Sequence, residues 1–319
     1  MFKLLVLGAT GFVGTSVCEK LVERSGGGAD GRIRVATRHR TRARHLQLLP
    51  TVEVAVGDVH DEATLARMLR STDAVINLVA ILHGSEDEFE RTHVRLPARL
   101  AAACQTAGVR RVVHVSAIGA ATDAPSRYLR SKARGEAVLK AAPLDVTILR
   151  PSVIFGERDR FLNLFAQLQS VFPMMPLAGS EARFQPVWVE DVARAVVAAL
   201  DDPSTIGQTI ECCGPRIYSL AELVRAAGDW SGSPRPVLAL PAALARLQAF
   251  FMELLPGEPL MSRDNLDSMG VANVASGKLP GLERLGIAPA ALEAIAPRYL
   301  GHVSGEKRLE AWRARARRG

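Results

Sequence analysis

The sequence predicts an α/β fold in which a doubly wound parallel sheet is joined to a smaller, mostly helical C-terminal region. In the first half of the chain, short apolar segments rich in Val and Ile alternate with segments of helical periodicity. The apolar segments do not alternate with polar residues, which is typical of strands buried on both faces. After residue 150, proline and glycine become frequent and helical patterns dominate. Regular strand–helix alternation indicates parallel strands joined by crossover helices.

The elements follow from these patterns in order. The predicted strands of the first half are 3–7, 33–37, 52–56, 74–79, 111–115 and 145–149, and the predicted helices are 12–24, 41–49, 61–70, 87–107 and 127–141. The second half is predicted to hold helices 158–171, 190–200, 219–230, 241–255 and 289–297, with short strands near 184–189 and 208–212. Right-handed crossovers place the carboxyl ends of parallel strands at one edge, where ligands bind.

The change in pattern divides the chain into two regions and a tail. Residues 1–155 are predicted to form the sheet domain, to which residues 183–213 return. Residues 156–182 and 214–305 are predicted to form the C-terminal subdomain. The last segment, 306–319, is a basic tail, in which six of the residues are lysine or arginine: Lys307, Arg308, Arg313, Arg315, Arg317 and Arg318.

Composition limits the function classes. Of the 319 residues, 48% are hydrophobic and 23% charged, as in ordinary globular chains, and the formal net charge of +7 favours anionic partners. With 5% aromatic residues, stacking platforms for nucleic acid are scarce, so no nucleic-acid partner is expected. The four cysteines form neither a disulfide framework nor a zinc site, and we expect no metal.

The first apolar segment is interpreted as a buried strand rather than a signal peptide, because it is short and runs directly into a glycine-rich turn. No apolar segment is long enough to span a bilayer. Unpaired cysteines fit a reducing compartment, so the predicted localisation is cytoplasmic, with peripheral contact at the inner membrane as a further expectation.

The turn after the first strand has the spacing of a phosphate-binding loop. It reads Gly8-Ala9-Thr10-Gly11-Phe12-Val13-Gly14 and opens a helix. Gly8 suits a tight turn, Gly11 a close approach of the backbone to a pyrophosphate, and Gly14 close packing of helix on strand. A helix N-terminus presents unpaired N–H groups to phosphates. The strand–turn–helix context therefore predicts a Rossmann domain that binds a dinucleotide.

The end of the second strand points to NADP(H). A site specific for NAD usually has an acidic residue there for the ribose 2′-hydroxyl, whereas this chain has Arg38 and Arg40. Guanidinium groups suit a 2′-phosphate, which they bind through paired hydrogen bonds. The alternative is a basic, solvated turn in a chain rich in arginine.

Further motifs resemble the extended and atypical short-chain dehydrogenase/reductase superfamily over residues 1–215. They are the glycine turn, an Asp after the third strand, a fourth-strand motif, a Tyr-xxx-Lys pair and the segment Arg150–Gly156. The resemblance implies the cofactor-binding residues Gly8, Thr10, Gly11, Phe12, Val13, Gly14, Arg38, Arg40, Asp58, Val59, Asn77, Val79, Ala80, Lys132, Pro151 and Val153.

A narrower resemblance rests on residues 126–192. The segments 126–132, 154–163 and 185–192 are similar to the 39 kDa accessory-subunit family of respiratory complex I and its bacterial relatives. That family implies tight binding of NADP(H) with a structural or assembly role, and a membrane redox complex as the partner.

Three residues are candidates for catalysis. Tyr128 and Lys132 lie four apart on one helix face, and a nearby ammonium is expected to lower the pKa of the tyrosine. Ser116 ends the fifth strand, where the superfamily has its catalytic hydroxyl, and it is either that hydroxyl or a cap of a backbone group. His93 stands where the superfamily often has an Asn of the proton relay. A lone histidine of this kind, like His83 and His114, is expected to be a packed or surface residue rather than a catalyst.

The helix predicted at 241–255 carries an unusually wide apolar face. Leu240, Leu244, Leu247, Phe251, Leu254 and Leu255 fall on one stripe, which Phe250 and Met252 flank. Two interpretations remain. The helix is either wedged between layers of its own subdomain or forms a docking surface for a membrane complex, an apolar quinone-like substrate or lipid headgroups.

Two functions are consistent with the sequence. One is a scaffold or assembly factor that binds NADP(H) tightly at a membrane redox complex. The other is an NADP-dependent oxidoreductase or epimerase that acts on a small carbonyl, hydroxyl or quinone-like substrate through Tyr128 and Lys132. The second half of the chain carries no motif that names a substrate.

Overall fold

A computed structural model describes residues 2–26, 31–254 and 261–301. These residues divide into two compact units. The first unit contains residues 1–152, 189–213 and 275–288, and the second contains residues 153–188, 214–274 and 289–319, each within the described ranges. The predicted basic tail, 306–319, lies outside the described residues.

The first unit is built on a seven-stranded parallel sheet, with the strand order β11-β6-β5-β4-β1-β2-β3. Its strands are β1 (Phe2–Leu7), β2 (Gly31–Thr37), β3 (Val52–Val56), β4 (Ala74–Asn77), β5 (Arg111–Val115), β6 (Asp145–Pro151) and β11 (Thr209–Cys212). Strands β1 and β4 are neighbours, and the chain order runs from β1 through β2 to β3 on one side and from β4 through β5 to β6 on the other. The carboxyl ends of these strands flank the crevice where such folds bind ligands. The predicted doubly wound sheet is confirmed.

Helices cover the sheet. Those of the first unit are α1 (Phe12–Arg24), α2 (Glu62–Leu69), α3 (Glu86–Glu90), α4 (Leu96–Ala107), α5 (Arg127–Ala141) and α7 (Val189–Asp201). The strands between them are apolar because both faces are buried: all four residues of β4 are buried, and so are the central residues Val112 and Val113 of β5.

Two predicted helices differ from the structure. Residues 41–49 form two short 3₁₀ turns, Arg40–Ala43 and Leu46–Leu48, because only Ala43 and Leu46 are buried and no apolar stripe supports a longer helix. The helix predicted at 87–107 is interrupted by a π-helical turn at Arg91–Arg95, between α3 and α4. Such turns occur often at functional sites.

The second unit combines short strands with helices. Its strands are β7 (Ile154–Phe155), β8 (Met175–Leu177), β9 (Arg183–Phe184), β10 (Val187–Trp188), β12 (Tyr218–Ser219) and β13 (Val237–Ala239), which pair as β7–β10, β9–β12 and β8–β13. Its helices are α6 (Leu162–Val171), α8 (Leu220–Ser231), α9 (Ala242–Glu253), α10 (Arg263–Met269) and α11 (Leu292–Leu300). Phe155, Leu162, Leu220, Leu223 and Leu300 are among its buried core residues.

The chain returns to the first unit at a later point than the sequence predicts. The predicted return begins at residue 183, whereas the first unit resumes at Val189, because β9 and β10 pair with strands of the second unit. A second return, at residues 275–288, has no counterpart in the sequence prediction. There the Ser276 hydroxyl donates to the carboxylate of Glu211 in β11, a long-range contact that no local pattern reveals.

A buried ion pair holds α5 against β6. The Arg150 guanidinium donates two hydrogen bonds to the Glu136 carboxylate, at 2.8 and 2.7 Å. Both side chains are largely removed from water, with exposed fractions of 18% and 3%. Because removal of one partner from such a pair leaves a buried charge, the pair restrains α5 more than a surface ion pair would.

Loss of the Glu136 carboxylate should therefore destabilise the chain. We expect Glu136→Leu to lower the free energy of unfolding by roughly 3 kcal/mol, because Arg150 keeps a buried charge. The double variant Glu136→Leu/Arg150→Met should recover most of that loss. Arg110→Ala, which breaks the more exposed pair with Asp145, should cost under about 1 kcal/mol. Urea unfolding measures all three, and a double variant less stable than Glu136→Leu would contradict this account.

Candidate functional site

The glycine turn after β1 brings helix α1 onto the strand ends. Gly8 has a φ of +83°, and a Cβ there would lie 2.9 Å from the carbonyl carbon of Leu78 after β4. A Cβ at Gly14 would overlap the carbonyl oxygen of Gly8. Any larger residue at either position would force α1, the turn and the β4 end apart. Gly8 thus allows the tight turn, and Gly14 allows the close packing of α1 on the strand.

The N-terminus of α1 has no side-chain cap. Its N-cap residue is Gly11, and no acidic residue occupies its first turn. The N–H groups of Phe12, Val13 and Gly14 have no acceptor within the helix, because a helix leaves its first N–H groups unpaired. The positive end of α1 is therefore available to an anion such as a phosphate.

Arginines surround the end of β2. Arg38, Arg40, Arg42 and Arg44 are all exposed, and none of these four side chains forms an ion pair with another described residue. His45, in the same segment, hydrogen-bonds Thr15 of α1 through Nε2 at 3.1 Å. This bond ties the basic segment to the first turns of α1. Positive charge without an internal partner therefore stands beside the glycine turn.

The end of β3 carries an accessible carboxylate. Asp58 accepts a hydrogen bond from the backbone N–H of His60 at 3.0 Å and lies 3.6 Å from Arg91. Burial lowers the pKa of His60, Asp58 raises it, and Arg91, Arg99 and Arg38 lower it further. The charges of Arg38 and Asp58 thus shift the pKa of the same imidazole, that of His60, in opposite directions. His60 and Arg91 are parts of this cluster that the sequence reasoning missed, because no motif marks them.

The end of β4 is fixed by a buried amide. Asn77 donates through Nδ2 to Nδ1 of His114 in β5, at 3.1 Å, and its Oδ1 accepts from the backbone N–H of Val79. The acceptor role of Nδ1 makes His114 a neutral imidazole, and burial lowers the pKa of His114 well below its usual range. Of the two expected places, packed or surface, His114 is packed. Val79 is partly buried and Ala80 exposed, so the backbone beyond Asn77 borders the strand edge.

His93 links the β4 end to helix α5. Its Nε2 accepts from the backbone N–H of Ile81 at 3.1 Å, and its Nδ1 bonds the Ser131 hydroxyl at 2.8 Å. The Ser131 hydroxyl in turn donates to the carbonyl of Tyr128 at 2.7 Å. Because the Ser131 hydroxyl already donates its hydrogen to the Tyr128 carbonyl, Nδ1 of His93 must donate to the hydroxyl oxygen. With Nδ1 as the donor and Nε2 as the acceptor, the His93 ring is neutral. Burial lowers the pKa of His93 to about 3, with Lys132 as a further cause.

The π-helical turn lies directly against α5. A Cβ at Gly135 of α5 would overlap the carbonyl oxygen of His93, so only glycine allows this close approach of the two backbones. The sequence leads us to expect His93 to be a packed or surface residue. It is packed, and it is also the centre of a hydrogen-bond chain that the sequence does not reveal.

Tyr128 lies at the start of α5 in an aromatic environment. Its ring contacts the rings of His93 and Phe89 edge-on, with centroids 5.6 and 6.2 Å apart. Burial raises the pKa of Tyr128 to about 12. This direction is opposite to the predicted one, because desolvation penalises the tyrosinate.

Lys132, one turn further along α5, is buried and donates to the carbonyl oxygen of Val115 at 2.9 Å. Burial lowers the pKa of Lys132 to about 8, against the opposing effect of Glu136. The Val115 carbonyl belongs to the peptide bond that joins Val115 to Ser116. The Ser116 hydroxyl oxygen is buried and has no hydrogen-bond partner among the described residues. A buried hydroxyl without a partner is costly unless a ligand completes it.

The predicted cofactor segment Arg150–Gly156 is split between the two units. Pro151 ends β6, where its carbonyl accepts from Ile118 at 2.9 Å, whereas Val153 belongs to the second unit and donates from its backbone N–H to Asn273. Apart from Lys132 on α5, the other predicted cofactor residues lie at or just beyond the carboxyl ends of β1, β2, β3 and β4. The parallel sheet therefore gathers them along one edge.

Within the described residues, no group of three or more His, Cys, Asp or Glu side chains is placed to hold a metal ion. None of the described helices is both long and apolar enough to cross a membrane.

The chain resembles known proteins in sequence and in fold. A family profile described as NAD(P)H-binding matches residues 8–203. The chain is 34% identical over 239 residues to "NADH dehydrogenase [ubiquinone] 1 alpha subcomplex subunit 9, mitochondrial" of Mus musculus, an alignment that covers 74% of this chain and 63% of the mouse protein. The chain thus spans just under two thirds of that relative. The protein of the same description in Arabidopsis thaliana is 30% identical over 312 residues, covering 92% of this chain and 76% of the plant protein.

A solved structure agrees on the fold. The dTDP-glucose 4,6-dehydratase of Streptomyces venezuelae, crystallised with NAD, superposes with a TM-score of 0.73 at 23% identity, covering 94% of this chain and 96% of that one. Fold, glycine turn and relatives lead to one assignment: the chain belongs to a family of NAD(P)H-binding proteins, and its relatives include the mitochondrial NADH dehydrogenase subunits of mouse and Arabidopsis.

Proposed function

We propose that this chain holds NADP(H) as a lasting part of its structure and serves as a scaffold or assembly factor at a membrane redox complex. The observation that carries the proposal is the state of Tyr128. A general acid–base group works best with a pKa near the operating pH, whereas burial raises the pKa of this tyrosine to about 12. The shift moves this tyrosine away from the range that suits proton exchange, and its ring is packed edge-on against Phe89 and His93.

The choice of NADP(H) over NAD(H) rests on the basic segment after β2. Arg38 and Arg40 are exposed, lack ion-pair partners among the described residues, and are tied to α1 through His45. A 2′-phosphate would supply the missing anion, and guanidinium groups bind it through charge-assisted hydrogen bonds. The uncapped α1 terminus would take the pyrophosphate, Asp58 the adenosine half, and Lys132 the nicotinamide ribose.

The partner is proposed from the relatives. Subunits of NADH dehydrogenase from mouse and from Arabidopsis align with most of this chain. By analogy, we propose that this protein acts at the cytoplasmic side of the inner membrane, attached peripherally to such a complex. The analogy supplies the class of partner, and the site of contact on this chain is a separate question.

A second function is favoured by one specific feature. The Ser116 hydroxyl is buried without a partner at the carboxyl end of β5, beside the peptide that Lys132 contacts. A substrate oxygen there would complete its hydrogen bonding. This arrangement suits an NADP-dependent oxidoreductase or epimerase, in which Ser116 would position a carbonyl or hydroxyl and Tyr128 would transfer the proton.

Nucleotide preference tests the basic segment. Each arginine should contribute about 1.5–3 kcal/mol to binding of the 2′-phosphate, so Arg38→Asp should weaken NADPH at least tenfold and leave NADH almost unchanged. Gly11→Val should weaken both nucleotides, because its branched side chain would occupy the pyrophosphate position. That variant should still fold, since the Cβ at Gly11 meets only the Gly8 carbonyl, at 3.3 Å.

The matched control is Arg298→Asp, which removes an exposed arginine of the second unit and should alter neither affinity. Titration calorimetry of the four proteins with both nucleotides gives the comparison. Equal or tighter binding of NADH by the unmodified chain would refute the preference for NADP(H).

Turnover decides between the two functions. If the nucleotide is structural, Tyr128→Phe should leave oxidation of bound NADPH by carbonyl and quinone substrates unchanged and slow, because no proton passes through its hydroxyl. If the chain is an enzyme, the same variant should lose a factor on the order of 10²–10⁴ in rate. Single-turnover absorbance of bound NADPH measures this directly.

The Phe variant keeps the ring contacts with His93 and Phe89, so the nucleotide-dependent rise in melting temperature should persist and serves as the folding control. A fast hydride transfer that disappears in Tyr128→Phe would overturn the scaffold function. It would leave the binding of NADP(H) in place.

A further inference from the structure

The basic segment after β2, residues 38–49, has little regular structure to hold it in place. Two short 3₁₀ turns stand where a helix is predicted, and their hydrogen-bond geometry is poorer than that of an α-helix. Only Ala43 and Leu46 of these residues are buried. The position of the segment, and of the arginines that it carries, therefore depends on few contacts.

One side-chain hydrogen bond joins this segment to helix α1. The Nε2 atom of His45 lies 3.1 Å from the hydroxyl oxygen of Thr15 in α1. Among the described residues, this is the one side-chain hydrogen bond that connects residues 40–49 with another element. His45 is exposed, whereas Thr15 is buried. The bond therefore reaches from a surface segment to the packed side of α1.

The direction of this bond follows from a second one. The Thr15 hydroxyl donates to the carbonyl oxygen of Gly11 at 3.0 Å. Because a hydroxyl has one hydrogen to donate, Nε2 of His45 must carry the hydrogen of the first bond and donate it to the Thr15 oxygen. A chain of two hydrogen bonds thus runs from His45 through Thr15 to Gly11, the glycine at which the backbone is expected to approach the pyrophosphate.

We propose that His45 is a positioning residue for the nucleotide. It holds the arginines after β2 at a fixed distance from the glycine turn and thereby sets the preference for NADP(H) over NAD(H). The inference rests on the binding of NADP(H) proposed above. His45 acts through Arg38 and Arg40, which are exposed and have no ion-pair partner among the described residues, and it does not itself touch the ligand.

The covalent structure of the ligand makes this distance matter. One ribose joins the 2′-phosphate to the pyrophosphate, so the protein must present its arginines and its glycine turn at a matching separation. Arginines that are held in place before binding lose less conformational freedom when the phosphate arrives, which strengthens binding. NADH has no 2′-phosphate, so its affinity does not depend on where the arginines lie. Loss of His45 should therefore weaken NADPH selectively.

The test is the ratio of the NADPH and NADH affinities, measured by titration calorimetry on full-length variants. His45→Leu removes the donor and should weaken NADPH by about three- to tenfold, as expected for one hydrogen bond, while NADH changes by less than about twofold. His45→Gln supplies an amide N–H in place of Nε2–H and should keep most of the preference. Equal weakening of both nucleotides by His45→Leu would indicate a merely structural role and would overturn the proposal.

Thr15→Val separates positioning from direct contact. It removes the hydroxyl that accepts from His45 and keeps the shape of the buried side chain, so it should cause the same selective loss of NADPH affinity. The double variant Thr15→Val/His45→Leu should lose no more than either single variant, because both changes remove the same bond. If His45 itself bound the phosphate, Thr15→Val would keep the preference, and that result would contradict the positioning role.

The matched control is Gln47→Leu, which changes an exposed residue of the same segment that has no side-chain partner among the described residues. It should bind both nucleotides like the unmodified chain. A preference that Arg38→Asp abolishes but His45→Leu leaves intact would overturn this inference and leave the proposed function standing. An unmodified chain that binds NADH as tightly as NADPH would overturn the proposed choice of nucleotide, and this inference with it.

Discussion

The site depends on one neutral histidine. His93 accepts a hydrogen bond from Ile81 at the β4 end and donates one to Ser131, which is bonded to the Tyr128 carbonyl. These bonds connect the edge of the sheet to the first turn of α5. Because a protonated imidazole could not accept from Ile81, the connection requires the neutral ring, and burial provides it by lowering the pKa of His93 to about 3. The helix that carries Tyr128 and Lys132 is placed by this connection and by the contact of Gly135 with the π-helical turn.

The same burial determines what the site can do. It raises the pKa of Tyr128 to about 12 and lowers that of Lys132 to about 8, so near pH 7 the tyrosine keeps its proton and most of the lysine remains charged. The Lys132 ammonium donates to the Val115 carbonyl. The exposed positive charges are those of the uncapped α1 terminus and the arginines after β2. We propose that this distribution serves to anchor the phosphates of a dinucleotide rather than to activate a substrate.

Sequence predicts the local parts of this arrangement. The spacing of Gly8, Gly11 and Gly14 predicts the turn, and Gly8 and Gly14 each answer a steric demand within one short segment, whereas a Cβ at Gly11 would meet only the Gly8 carbonyl at 3.3 Å. Continuous apolar segments predict the strands, because strands that are buried on both faces are apolar throughout. The contact between Gly135 and His93, and the return of residues 275–288 to the first unit, depend on residues far apart in the chain. Local patterns carry no information about them.

The direction of the Tyr128 pKa shift shows the same limit. Helical spacing puts a lysine one turn away and suggests a lowered value, but desolvation by the fold determines the result. Helix α9 is a comparable case: its stripe is evident in the sequence, whereas the side that faces solvent follows from which small residues pack inward, Ala245 and Ala249.

We propose that the nucleotide is a lasting structural component of this protein. The most direct measurement is the amount, identity and exchange rate of nucleotide in the purified full-length protein, followed by mass spectrometry after addition of isotopically labelled NADPH. We predict close to one NADP(H) per chain and exchange over hours, far slower than the turnover of about 10 s⁻¹ typical of enzymes. Nucleotide that exchanges within seconds, or protein that carries NAD(H) instead, would contradict the claim.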